Sequence, residues 1–163
     1  METASQLADY ANWVANLAVV GATVLAVVLV ALTHFEGLMW LSSRLNRVTG
    51  PKRRVILYAV LSLIMLHTLE IWIFGLAYHV LLLWPETGKI SGGIGLSIFD
   101  HVYFSAVVFT TVGFGDLSPV GPIRFIAGTE ALTGLVLIGW SASFTYLEME
   151  QLWRPHREHR VHK

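Results

Sequence analysis

The stretch VVFTTVGFGDLSP, residues 107–119, raises the question that decides how this chain folds. Within it, residues 110–116 contain no nucleophile paired with a base, no metal-ligand cluster and no phosphate-binding lysine. Their distinctive feature is the main chain, in which Gly113 and Gly115 are separated by a single residue. The function of the stretch must therefore come from main-chain groups rather than from side chains.

The composition around this stretch is that of a membrane protein. Of the 163 residues, 55% are hydrophobic and only 13% are charged, whereas soluble domains carry about 25% charged residues. The net charge of zero gives no support for nucleic-acid binding. The absence of cysteine excludes disulfides, thiolate metal sites and cysteine catalysis. Nothing in the sequence supports an enzyme, and no cofactor is expected.

Three long apolar stretches predict three transmembrane helices, at residues 10–33, 55–84 and 122–147. Each is longer than the about 20 residues that cross the hydrocarbon core of a bilayer. The first is not a signal peptide, because the preceding METASQLAD is acidic and the apolar run is too long. The chain is therefore expected to be an all-α membrane protein.

A fourth apolar segment, residues 98–110, is too short to span, since it covers roughly 20 Å at about 1.5 Å per residue. Ser97 is expected to cap it, with Asp100 near the positive end of the helix dipole. The preceding GKISGGIG, residues 88–95, predicts a flexible loop. A short helix followed by extended, glycine-bearing backbone predicts a re-entrant hairpin, because non-helical backbone at membrane depth must be buried in protein or face water.

Such a backbone can replace the water shell of a cation. Rings of main-chain carbonyls do so when successive peptides point inward. An ordinary strand alternates its carbonyls, so this arrangement needs left-handed backbone at alternate residues, which glycine adopts readily. Gly113 and Gly115 have that spacing, and the hydroxyl of Thr111 can add an oxygen at the inner end. The residues therefore predict a carbonyl-lined passage for a cation.

The segment TTVGFGD, residues 110–116, resembles the selectivity filter of potassium channels, with phenylalanine where tyrosine is commoner. The resemblance extends over residues 55–150, and HTLEIW, RFIAGTEALTG and GWSASF resemble small bacterial three-span channel proteins with an extra N-terminal helix. It implies a pore helix, a filter and a tetramer. Because the chain has one filter copy and no internal repeat, the tetramer is expected to be a homotetramer.

The resemblance also implies roles for individual residues. It implies K⁺ coordination by the carbonyls of Thr111, Val112, Gly113 and Phe114, a filter mouth at Gly115 and Asp116, pore-helix support at Thr110 and Tyr103, and inner-helix hinges at Gly134 and Gly139. At Val107 some relatives carry a carboxylate that pairs with the filter aspartate. Asp116 therefore needs another partner: either Tyr103 donates to it, or water holds it while Tyr103 packs in the pore-helix layer.

Two carboxylates inside the predicted spans need an explanation, because a charge at the bilayer centre costs about 2.5–3.5 kcal/mol on insertion scales. Glu70 has His67 one turn earlier on the same helix face, and Glu130 lies at about the depth of the filter. The alternatives are interhelical hydrogen bonds that brace the pore helix with one carboxyl protonated, a proton-sensitive element, or Glu130 facing the ion path.

Other candidates lie toward the opposite side of the membrane. Ile138, Ala142 and Tyr146 recur every four residues and are expected to line the cavity, with Tyr146 as a constriction. Tail groups could titrate near neutral pH and spread the helices, or could belong to a solvated tail that sets topology; they include Glu148, Glu150 and His156. His34 and Glu36 are expected to mark a water interface, and no histidine has the spacing of a metal site.

Charge predicts orientation, because nine of the 11 basic residues lie within 44–54 and 154–163. The N-terminus and the glycine motif are expected outside a cell membrane, with the C-terminus in the cytoplasm. The predicted organisation is residues 1–41 as extracellular N-terminus and extra helix, 42–54 as basic loop, 55–150 as pore domain and 151–163 as tail. Within the pore domain it comprises outer helix 55–84, outer loop 85–97, pore helix 98–110, filter 111–116 and inner helix 122–147.

The leading functional hypothesis is a passive potassium-selective channel with K⁺ as permeant ligand and with lipid and other copies of the chain as partners. The alternatives are a pore-forming subunit of a larger potassium uptake system, a weakly selective cation channel, and a non-conducting membrane protein. Residues 10–33 lack the arginine series of a voltage sensor, and only a short tail follows the last span. A leak, or gating by the filter, protons, lipid or tension, is therefore expected.

Overall fold

The computed structural model describes residues 12–45, 51–92 and 97–153. These residues form helices α1 (Trp13–Leu45), α2 (Lys52–Leu81), α3 (Ile98–Phe109) and α4 (Arg124–Trp153). Three of them, α1, α2 and α4, are long and apolar enough to cross a membrane, whereas α3 is a short apolar helix. The prediction of three spans and one short helix is confirmed.

Helix boundaries follow from local chemistry. The side-chain oxygen of Asn12 accepts hydrogen bonds from the N–H groups of Val14 and Ala15, at 3.1 and 3.3 Å, and so caps α1. Pro51 precedes α2, where its missing N–H costs nothing. Pro155 stands shortly after the end of α4 in the sequence, at a position where it cannot continue a helix.

Several predicted boundaries were wrong. α1 continues to residue 45 and α2 begins at 52, so the basic connection between them is shorter than the predicted 42–54. α2 ends at 81 rather than at 84. α4 begins at 124 rather than at 122, and it continues to 153 instead of ending at 147. Hydropathy locates the part of a helix inside the bilayer, whereas the helix itself continues until a breaking residue ends it.

The cap of α3 agrees with prediction. Ser97 and Asp100 form a capping box: the Asp100 N–H donates to the Ser97 hydroxyl oxygen at 3.4 Å, and the Ser97 N–H donates to the Asp100 carboxylate at 2.7 Å. α3 ends at Phe109 rather than at residue 110, with Thr110 as its C-cap. The short helix therefore has a defined start and places the glycine motif directly after its end.

Part of the predicted loop before α3 is a strand. Strand β1 (Lys89–Ser91) pairs antiparallel with β2 (Ser118–Val120), with Ile90 opposite Pro119. The prediction of a flexible loop was therefore wrong for residues 89–91. The reason is that the cross-strand partners come from the other side of the glycine motif, which local composition does not reveal.

α3 lies between α2 and α4, and a glycine on each neighbour permits close approach. A Cβ atom added at Gly75 would lie 2.7 Å from Cγ2 of Val102, and one at Gly134 would lie 2.1 Å from the carbonyl oxygen of Phe109. Gly134, expected as a hinge, therefore packs against the backbone of α3. At Gly139, the other expected hinge, an added Cβ meets no described atom within 4 Å.

The extra helix α1 packs against α2 and α4 of the same chain. Near its middle, the ring of His34 lies 5.3 Å from that of Trp140 on α4. Near its end, the Ser42 hydroxyl donates to the Glu148 carboxylate at 3.1 Å. α1 is thus part of the same helical assembly that holds the short helix and the glycine motif.

Candidate functional site

The segment after α3 has backbone of alternating hand. Thr111, Gly113 and Gly115 have φ values of 59°, 56° and 82°, whereas Val112 and Phe114 between them are not left-handed. The alternation predicted at the two glycines is confirmed, and it starts already at Thr111. A β-branched residue with positive φ is a genuine outlier, so its surroundings must impose it, and no sequence signal announces it.

Hydrogen bonds at the end of α3 hold the start of this segment. The N–H of Thr111 donates to the carbonyl of Val108 at 2.9 Å. The Thr110 hydroxyl donates to the carbonyl of Ala106 at 2.7 Å and so supports the last turn of the helix. The negative end of the helix dipole therefore lies where residues 111–116 begin, which favours a cation.

The C-terminal end of residues 111–116 is held by a hydrogen bond to α3. The Tyr103 hydroxyl donates to the Asp116 carboxylate at 2.8 Å, which is the first of the two arrangements considered for Tyr103. This bond raises the pKa of Tyr103 above its usual value, so the hydroxyl stays a donor. Gly92 packs closely against the same residue, because a Cβ added there would clash with the carbonyl oxygen of Asp116.

Glu130 braces the back of α3. It is fully buried, accepting a hydrogen bond from the Tyr78 hydroxyl at 2.6 Å and lying 2.5 Å from the hydroxyl of Ser105. The Ser105 hydroxyl is also 2.9 Å from the carbonyl of Ile71 and has only one hydrogen. A protonated Glu130 would satisfy all these groups, donating to Ser105 while Ser105 donates to Ile71. This is the bracing arrangement considered for Glu130.

We expect Glu130→Ala to destabilise the protein by about 1–3 kcal/mol, because the buried Tyr78 hydroxyl loses its partner. Glu130→Gln, which keeps an oxygen and a similar volume, should lose less. The measurement is thermal unfolding of the purified protein in detergent, followed by tryptophan fluorescence. An alanine variant that unfolds at the wild-type temperature would contradict the bracing role.

A second buried carboxylate joins α1 to α2. Nδ1 of His34 and Nδ1 of His67 lie 2.7 and 2.8 Å from the two carboxylate oxygens of Glu70. His34 is fully buried, so the expectation that it marks a water interface was wrong. The contact joins residues 36 positions apart, which explains why sequence spacing did not reveal the cluster.

The other predicted site residues lie on α4 or in the tail, away from residues 111–116 in sequence. Ile138, Ala142 and Tyr146 are exposed along α4 in the single chain. Glu148 bonds to α1 through Ser42. Glu150 also has an interaction within the described residues, whereas His156 lies outside them.

Comparison with known proteins gives two findings. Residues 66–150, more than half of the chain, match the model of a family described as ion channel. Protein LctB of Geobacillus stearothermophilus is 36% identical over 53 residues, which cover 32% of this chain and 40% of that protein. The matched region thus spans less than half of that relative. No solved structure matches the chain significantly.

Proposed function

Because this chain belongs to the ion channel family, we propose that it conducts K⁺ selectively and passively through a tetrameric filter of backbone carbonyls. The family match supports the resemblance to potassium-channel pore domains and makes the protein a membrane-embedded, ion-permeating one. The observation that carries the K⁺ proposal is the left-handed backbone at Thr111, Gly113 and Gly115 directly after a capped short helix. Such alternation can turn successive carbonyls toward one axis.

Assembly from four chains is supported by what a single chain leaves uncovered. The side chains of Val112 and Phe114 are 54% and 69% exposed. Residues 111–116 are all exposed in the single chain, and non-helical backbone at membrane depth requires protein or water around it. One hairpin cannot enclose an ion, whereas four copies around an axis would surround it with rings of oxygens.

The orientation and gating proposals rest on the charges and on the inner helix. The basic residues within 44–54 and 154–163 support an N-terminus outside the cell membrane, because the positive-inside rule puts basic connections in the cytoplasm. Tyr146 is 68% exposed in the single chain and is available as a constriction toward the inner mouth. The proton-sensing role of the carboxylates stays a prediction: an unchanged response to acid in Glu130→Gln would remove it for Glu130.

The direct test is ion flux through the purified protein alone in liposomes. We expect K⁺ to run down its gradient, with a K⁺ permeability at least about 10-fold that of Na⁺, which corresponds to a difference of about 1.4 kcal/mol between the two ions. Reversal potentials in planar bilayers give the permeability ratio, and empty liposomes give the leak.

The alternative outcomes separate the competing hypotheses. Equal K⁺ and Na⁺ permeability would replace the proposal with a weakly selective cation channel. A folded protein that passes neither ion would favour a subunit that conducts only with partners. Chemical cross-linking that stops at the dimer would overturn the four-fold filter.

A further inference from the structure

The cluster of His34, His67 and Glu70 holds the donor set of a transition-metal site. One candidate ligand atom from each residue lies within 4.8 Å of the other two. Tetrahedral zinc ligands at about 2.1 Å from the metal lie roughly 3.4 Å apart, so small side-chain movements would close the set around an ion. We infer that His34, His67 and Glu70 bind one divalent transition-metal ion of the Zn²⁺ class between α1 and α2.

The hydrogen bonds identify the ring nitrogens that face the carboxylate. Nδ1 of His34 and Nδ1 of His67 each lie against one oxygen of Glu70. A neutral imidazole carries its hydrogen on either nitrogen. With the hydrogen on Nε2, the lone pair of each Nδ1 faces Glu70, and an ion can take the place of the two hydrogens shared with the carboxylate.

The chemistry of the donors selects the class of ion. Two imidazoles and one carboxylate suit Zn²⁺ and its neighbours, whereas Mg²⁺ and Ca²⁺ prefer oxygen ligands throughout. A divalent cation would also offset the charge of Glu70, which is fully buried.

The position of the cluster gives the ion a structural role. The ring of His67 lies 5.9 Å from that of Phe109 at the end of α3, and the ring of His34 lies 5.3 Å from that of Trp140 on α4. An ion held here would fasten α1 to α2 beside the helix that precedes the glycine motif. It would stabilise the folded chain, because it binds the folded arrangement and not the separated helices.

The test uses the full-length protein, purified without a polyhistidine tag and freed of metal with a chelator. We expect about one tightly bound Zn²⁺ per chain by elemental analysis, visible absorption bands on adding Co²⁺, and a higher unfolding temperature with Zn²⁺. His34→Gln and His67→Gln should weaken Zn²⁺ binding at least about 100-fold, since even outer-shell changes cost 10–100-fold.

Two controls make the result specific. His79 and His101 form a second histidine pair, with Nδ1 atoms 3.4 Å apart, and His79→Gln should leave the bound zinc unchanged. Replacing the tail residues His156, His159 and His162 by glutamine removes adventitious ligands and should also leave it. A Co²⁺ spectrum without bands in the wild-type protein, or zinc lost with the tail histidines, would overturn the inference. Neither readout depends on K⁺ conduction.

Discussion

Gly113→Ala is expected to reduce K⁺ flux in liposomes more than 100-fold while leaving the helices folded. Gly113 has φ of 56°, and holding an L-residue there costs about 1–2 kcal/mol. Four copies around one passage would add roughly 4–8 kcal/mol, and about 1.4 kcal/mol is a factor of ten. The alanine peptides should therefore rotate and remove carbonyls from the ring.

The expected loss of flux in Gly113→Ala comes from the backbone conformation and not from a steric clash. An added Cβ at Gly113 meets no described atom of its own chain within 4 Å, so conformation alone opposes alanine. Gly21→Ala is the matched control, because Gly21 lies within α1 and also has open space around it. Wild-type K⁺ flux through Gly113→Ala, with wild-type yield and assembly, would refute the carbonyl filter.

Gly134→Ala is expected to destabilise the protein through a steric clash, the cause that is excluded at Gly113. The backbone at Gly134 is an ordinary helix, but an added Cβ would lie 2.1 Å from the carbonyl oxygen and 2.8 Å from the carbonyl carbon of Phe109. Backbone atoms cannot rotate away, so α4 must move off α3. Overpacking of this kind costs about 1–3 kcal/mol, or roughly 2–12 °C in unfolding temperature for a chain of this size.

The measurement is thermal unfolding in detergent together with K⁺ flux. Flux should fall too, because Phe109 ends the helix that precedes the filter segment. Gly139→Ala is the control on the same helix, and it should unfold at the wild-type temperature, since an added Cβ meets no described atom within 4 Å. Equal unfolding temperatures for the two variants would contradict the packing role of Gly134.

Much of the fold could be predicted because it depends on interactions between near neighbours. The spans follow from the length of apolar runs, the cap of α3 follows from Ser97 and Asp100, and the left-handed positions follow from Gly113 and Gly115. Helix ends were predicted less well, because hydropathy indicates which residues lie in the hydrocarbon core and not where the helix itself begins and ends. Thr111 was missed as a left-handed residue, since its conformation is imposed by its surroundings rather than preferred by a threonine.

The polar contacts between helices could not be predicted in the same way. The titratable residues were recognised as needing a partner, but the partners lie far away in sequence: Tyr78 bonds to Glu130 over 52 positions and His34 to Glu70 over 36. His34 was expected at a water interface because it lies near the predicted inner end of the first span. Only the packing of α1 against α2 removes it from water.

The amino-acid sequence by itself determined the membrane character, the helices and the backbone motif, because hydrophobicity, capping and glycine conformation act over a few residues. Only the tertiary structure decided which buried polar groups meet, that Gly134 touches the pore-helix backbone, and that residues 89–91 form a strand. Those outcomes depend on how whole helices and hairpins pack together, and no local stretch of sequence contains that information.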